Sequence, residues 1–261
     1  MRIHRCFNRF LPWLVASLGV ACVAPITLAQ GGGDEPGVGW PMAAHDYAST
    51  RFSPLTQITG QNVSQLRLVS TFSTGVLRGH EAAPIVIGGT MYVVTPYPNV
   101  VFALDLSQPG MPVKWKFEPK PEAYAQGVAC CDVVNRGLAY ADGKVYLNTL
   151  DNQTIALDAR NGNELWRYRS GDIHAGETRT MAPLVVNGRV YIGNSGGEYG
   201  VRGWLVALDA AKGNELWRAY STGPDGDVLI GSDYKPYYAK ERGRDLGMTT
   251  WPQEAWKLGG G

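Results

Sequence analysis

The chain has 261 residues, with 24 basic and 23 acidic side chains, a net charge of +1, and a 44% hydrophobic fraction. A balance this near neutrality gives no reason to expect nucleic-acid or anionic-membrane partners. The length is ample for one domain with a sizeable core.

Residues 1–10 carry Arg2, Arg5 and Arg9 and no acid, and residues 11–29 are mostly apolar and end in Thr27-Leu28-Ala29. This three-part pattern predicts a secretory signal peptide over residues 1–29 and a periplasmic mature chain. A retained anchor is the alternative, because the apolar run is almost long enough to span a bilayer. Gly31-Gly32-Gly33 and the lack of later apolar runs favour cleavage and leave no membrane span. Cleavage would leave 21 basic against 23 acidic residues, a charge of −2, with Cys130 and Cys131 as the remaining cysteines.

Residues 30–261 read as one β domain built from repeats. Val63 to Gly75 ends in Phe72-Ser73-Thr74-Gly75, which matches Tyr220-Ser221-Thr222-Gly223, and is expected to be the closing strand of a preceding blade. Three repeats follow, near 83–118, 137–169 and 182–220. Each has a β-rich run, a second run ending in Leu-Asp, and a tryptophan strand; Trp115, Trp166 and Trp217 are 51 residues apart. Asp142-Gly143 and Asn187-Gly188 are tight hairpin signals. Several strands in a period of about 50 residues mark a β-propeller blade. A plain sandwich would not explain a tryptophan at constant spacing, and the rings are expected to lie flat between blades. Residues 224–261, rich in Gly, Asp, Lys and Tyr, read as a long loop region. The fold class is therefore an all-β propeller with about three blades and part of a fourth, the ring incomplete.

Between the first two repeats lies Ala129-Cys130-Cys131-Asp132-Val133-Val134-Asn135-Arg136-Gly137. Adjacent Cα atoms are about 3.8 Å apart, closer than the usual disulfide span of roughly 4.4–6.8 Å. A Cys130–Cys131 bond would close a small strained ring, of a kind tolerated mainly at over-determined sites. In an oxidising compartment these two cysteines have only each other as partner. Two reduced, packed thiols are the competing reading.

From about Trp40 onward the chain resembles the large subunit of pyrroloquinoline-quinone (PQQ)-dependent methanol and alcohol dehydrogenases. The resemblance rests on Gly75-Val76-Leu77-Arg78-Gly79-His80-Glu81, on Cys130 through Tyr140, on Ser195-Gly196-Gly197-Glu198-Tyr199-Gly200-Val201-Arg202-Gly203, on Thr250-Trp251-Pro252, and on Ala255 through Gly261. The wording at Asp227-Val228-Leu229-Ile230-Gly231 and Trp251-Pro252 resembles the lanthanide-dependent branch more than the calcium branch. The resemblance implies an eight-bladed propeller with PQQ in its central funnel, stacked on a vicinal disulfide at Cys130 and Cys131. It implies Glu81, Arg136, Thr180 and Ser195 as further cofactor contacts, with Gly196 and Gly197 allowing close backbone approach. It implies Glu198 as a ligand to one metal ion, lanthanide or calcium. A planar guanidinium suits the quinone's carboxylates, and a hard cation wants oxygen donors. Each residue has a plainer reading: Arg136 paired to Asp132, Glu81 and Glu198 as solvated loop acids, and Thr180 and Ser195 satisfying local backbone. His45, His80 and His174 read as structural.

The implied reaction oxidises methanol or another primary alcohol to the aldehyde, with a cytochrome c as electron acceptor and a homodimer allowed. The family's general-base aspartate, its asparagine metal ligand and the tryptophan on the quinone's other face align beyond Gly261. No catalytic residue is therefore assigned, and the chain is expected to be a truncated portion, inactive alone. The alternative is a non-enzymatic periplasmic propeller scaffold, which has no need to keep Cys130, Cys131, Arg136 and Glu198 together.

Overall fold

The computed structural model describes residues 39–130, 132–231 and 244–259. The expected signal peptide lies outside the described residues. Among the described residues twelve strands form three antiparallel four-stranded sheets, each in simple chain order. The first holds β1 (Ile85–Ile87), β2 (Thr90–Val94), β3 (Val101–Asp105) and β4 (Val113–Phe117). The second holds β5 (Ala139–Ala141), β6 (Lys144–Asn148), β7 (Gln153–Asp158) and β8 (Glu164–Arg169). The third holds β9 (Leu184–Val186), β10 (Arg189–Gly193), β11 (Trp204–Asp209) and β12 (Glu215–Tyr220). These are propeller blades, and the three among the described residues do not close a ring.

The blades repeat in detail. Each first hairpin turns on two left-handed residues: Gly88-Gly89, Asp142-Gly143 and Asn187-Gly188. That backbone matches the strand twist. Each third strand shifts register at an Ala-Leu step, at Ala103/Leu104, Ala156/Leu157 and Ala207/Leu208. In β7, Ile155 and Leu157 pack toward the first blade, while Ala156 packs toward the third. The middle of this strand is buried on both faces, and Ile155, Ala156 and Leu157 are all apolar.

The tryptophans join neighbouring blades. Trp115 Nε1 donates to the Ala159 carbonyl at 3.0 Å, and Trp166 Nε1 donates to Ala210 at 3.1 Å. The tyrosine beside each one donates to the same carbonyl, Tyr92 to Ala159 and Tyr146 to Ala210, both at 3.1 Å. A Cβ placed on Gly162 would lie 2.7 Å from the Trp115 ring, and one on Gly213 would lie 2.5 Å from Trp166. Each ring thus lies over the left-handed glycine turn of the next blade, where no other residue type fits.

Burial raises the Tyr92 and Tyr146 hydroxyls to about 12. Unfolded tyrosine ionises near 10, so between about pH 10 and 12 the unfolded chain loses protons that the fold retains. Stability is then complete below pH 10 and falls as pH rises toward 12. We expect a fraction of the tyrosine absorbance change at 295 nm to be delayed until the circular dichroism of the fold collapses. A single titration step near pH 10 with the fold intact would refute this.

Residues 40–47 form a strap across the innermost strands. Trp40 exchanges two backbone hydrogen bonds with Val86 on β1, at 2.8 and 3.0 Å, and Pro41 accepts from the Tyr140 amide on β5 at 2.9 Å. Tyr47 donates its hydroxyl to the Val185 carbonyl on β9 at 2.6 Å. The strap covers edges that would otherwise present unpaired backbone groups.

The expected closing strand at 63–75 is not formed. Val63–Gln65 is a single 3₁₀ turn, and Leu68 and Val69 are 82% and 92% exposed. A strand needs a paired neighbour, and among the described residues none is offered to this stretch. Phe72 turns inward, edge-on to Phe102 at 5.1 Å. Residues 224–231 and 244–259 contain no strand. They hold a one-turn helix (Leu246–Thr249) and a 3₁₀ turn at Ala255–Leu258. Gly223 N donates to Gly247 O at 2.9 Å and Thr222 Oγ1 to Trp256 O at 2.8 Å, folding this stretch onto the third blade.

Candidate functional site

The candidate residues gather at one end of the three blades. The segments before β1, β5 and β9 all lie at this end, as do the links from β2 to β3 and from β10 to β11. Antiparallel order dictates this, since each inner strand starts where the next strand finishes. A parallel bridge between Ala83 and Gly137 and an antiparallel one between Thr178 and Ser195 tie these segments together.

Arg136 is the point where the three blades meet. Its amide donates to the Thr180 carbonyl at 2.9 Å, and its guanidinium donates to Thr180 Oγ1 at 2.5 Å. Its Nε lies 3.2 Å from Glu81 Oε2, with both side chains about half exposed. The partner is thus Glu81 of the first blade, not Asp132. Asp132 instead accepts from the Val133 amide at 2.7 Å, and its carboxylate lies 3.5 Å from where a Cβ on Gly79 would stand. The loop carrying Arg136 is anchored by Asn135, which is 1% exposed. Asn135 donates to Asn148 O at 2.8 Å and accepts from Gly137 N at 2.9 Å.

Cys130 is exposed. Cys131 lies outside the described residues, and with it the expected disulfide. The short helix Ala125–Val128 leads into this loop.

Ser195 is held through backbone bonds to Thr178 at 3.0 and 3.2 Å. Gly196 follows with φ +123, and a Cβ there would stand 2.4 Å from the Gly176 carbonyl. Gly176, itself at φ +93, could not carry a Cβ either, because Tyr199 would be 2.8 Å away. This close approach of two turns is why glycine stands at 196. Gly197 opens the 3₁₀ turn Gly197–Tyr199, which presents Glu198 as an exposed carboxylate. No hydrogen bond or ion pair joins Glu198 to Glu81, Arg136 or Thr180. Among the described residues no group of three metal-ligating side chains forms.

Arg179 is a residue that the sequence reading missed. It is 1% exposed and donates to Gly193 O at 3.0 Å, to Thr154 Oγ1 at 2.9 Å and to Ser170 Oγ. Burial pushes its pKa down to about 9, against the opposing pull of Glu177. An arginine leading into an apolar strand was the available signal. A cavity of about 620 Å³ opens nearby, lined in part by Arg169, Arg202, Arg218, Glu177 and Trp204.

A donor set of one guanidinium, two hydroxyls and an oxygen-bearing acid, with glycines allowing close approach, fits a flat polyanionic cofactor beside a hard cation. Residues 40–165 match the family profile of the PQQ glucose/ethanol/alcohol dehydrogenase β-propeller domain. With its blades and its Arg136 cluster, the chain belongs to the PQQ-dependent dehydrogenase propeller family. Among its relatives, a lanthanide-dependent methanol dehydrogenase of Methylacidiphilum fumariolicum (strain SolV) is 55% identical over 87% of this chain and 37% of its own length. Subunit 1 of the cytochrome c-named methanol dehydrogenase of Methylobacterium organophilum is 48% identical, over 85% of this chain and 36% of its own. A solved europium-containing methanol dehydrogenase superposes with a TM-score of 0.83 at 54% identity, covering 87% of this chain and 39% of that one. The chain spans a little over a third of the length of the curated relatives it matches.

Proposed function

We propose that this chain supplies part of the cofactor site of a periplasmic PQQ-dependent dehydrogenase that oxidises methanol or another primary alcohol to the aldehyde and passes electrons to a cytochrome c. The observation that carries the reading is the meeting of Glu81, Arg136 and Thr180, from three blades, in a chain 55% identical to a methanol dehydrogenase. Identities of 55% and 54% to a lanthanide-dependent and a europium-containing relative support a lanthanide over calcium.

When bound, PQQ supplies a two-electron acceptor and the cation a Lewis acid that polarises its carbonyl. Arg136 would hold the cofactor's carboxylates with its planar fork. Glu81 fixes the plane of that fork from one side. Thr180 accepts from it and keeps its own O–H to donate. Ser195 adds a second hydroxyl, and Glu198 would give the metal one oxygen ligand. Cys130 and Cys131 would form the stacking surface, as a disulfide made after export and removal of residues 1–29.

The test is a titration of PQQ into the chain, read by tryptophan fluorescence, with lanthanum or calcium present. Saturable, metal-enhanced binding is expected. Arg136→Met should weaken it by about 2–3 kcal/mol, the value of hydrogen bonds to a charged group, or roughly 30- to 150-fold. Dye-linked methanol oxidation by this chain alone should be undetectable, because Glu198 stands without two further ligands among the described residues. Absence of saturable binding, or an Arg136→Met variant that binds like the parent, would overturn the proposal.

A further inference from the structure

Arg179 sits between Thr178, whose backbone pairs with Ser195, and Thr180 of the candidate site, yet its guanidinium is buried among β7, β10 and Ser170. Its three acceptors lie on separate segments: Thr154 on β7, Ser170 in the link from β8 to β9, and Gly193 at the end of β10. Its guanidinium carbon stands 5.3 Å from the Trp204 ring centroid. No carboxylate among the described residues takes a hydrogen bond from it. Glu177, the neighbouring acid, is engaged by Trp204 Nε1 at 2.9 Å and Asn194 at 3.3 Å.

A buried cation bonded only to neutral acceptors is costly. An apolar side chain of similar length would fill the space beside Trp204 at less cost. What it could not supply is three directional bonds from one rigid plane. The other flank of the segment is held as well. Thr154 Oγ1 donates to Asn148 Oδ1 at 2.8 Å, and Asn148 Nδ2 donates to Met181 O at 3.0 Å. Asn148 also accepts from Asn135, the anchor of the Arg136 loop. The segment 178–181 is thus pinned from two sides, and Thr180 is the residue it presents to Arg136.

We infer that Arg179 is a positioning residue, a buried clamp that fixes Thr180 and, through it, the guanidinium of Arg136. This rests on the reading of Arg136 as a cofactor contact only for its functional consequence; the clamp itself is a statement about this chain.

Two measurements test it. Amide exchange in Arg179→Met should rise by about tenfold or more at Arg136, Thr178 and Ser195, whose amides close the 178–180 pairing, while core amides of β6 and β10 stay within about threefold of the parent. Arg179→Lys, which keeps the charge but not the fork, should fall between. Unchanged exchange at the three site amides, or equal acceleration through the core, would overturn the inference. In the second measurement, Arg179→Met should weaken PQQ binding by about tenfold, and Arg179→Met with Thr180→Ala should bind no more weakly than the worse single variant. Additive losses would overturn it too. Should the parent chain bind no PQQ, the functional proposal falls, and the exchange measurement still decides the clamp.

Discussion

Trp115→Ala is expected to destabilise the chain by about 3–5 kcal/mol, the usual cost of emptying a large aromatic site in a core. Trp115 is 8% exposed, lies 5.7 Å from Tyr92 between ring centroids, and caps the Gly162 turn of the next blade. That turn has no side chain with which to fill the gap, so the cavity would persist. The Ala159 carbonyl would keep Tyr92 as a donor, so the loss is one of packing more than of hydrogen bonding. For a domain of this size the midpoint should fall by about 10 °C. Thermal and urea unfolding followed by far-UV circular dichroism would measure it. A loss below about 1 kcal/mol would mean that the blades are held together by something other than the tryptophan seams.

Gly196→Ala should have the second large effect, and at the site. The residue would have to hold φ +123, which costs about 1–3 kcal/mol, and its methyl would meet the Gly176 carbonyl at 2.4 Å and Val201 Cγ2 at 3.1 Å. Backbone stands on one side, so the 195–200 turn must move, and it carries both Ser195 and Glu198. Lanthanide-enhanced PQQ binding should weaken by tenfold or more, about 1.4 kcal/mol or above. Gly60→Ala, where a Cβ meets nothing within 4 Å, is the control that should leave binding alone. Equal binding by the two variants would show that the 195–200 turn does not serve the cofactor.

The blades were legible in the sequence because their determinants are local and repeated. Asp142-Gly143 and Asn187-Gly188 specify their hairpins by themselves, and the tryptophan spacing follows from one ring covering one glycine turn per blade. The resemblance brought Glu81, Arg136 and Thr180 onto one list, and the structure brings them into contact. The stretch from Val63 to Gly75 misled because a strand-like pattern says nothing about whether a neighbour is there to pair with it. Arg179 and the Gly176–Gly196 approach were out of reach for a different reason. Each is defined by contacts between segments tens of residues apart, and neither leaves a periodic mark. The same holds for the strap, whose residues carry no strand pattern of their own.

The strap also bears on the order in which the chain can assemble. Its contacts run along the chain in the order in which the blades are made: Trp40 meets Val86, Met42 then bridges to Ala139, and Tyr47 reaches Val185 last. The final partner follows 138 residues after Tyr47. Long-range contacts are usually slow because their ends must find each other across an unformed chain. With the strap seated on one blade, its next contact is held near the blade that follows, which shortens the loop to be closed at each step. The strap is thus a tether that runs past all three blades in chain order, holding the innermost strand of each close to its neighbour's.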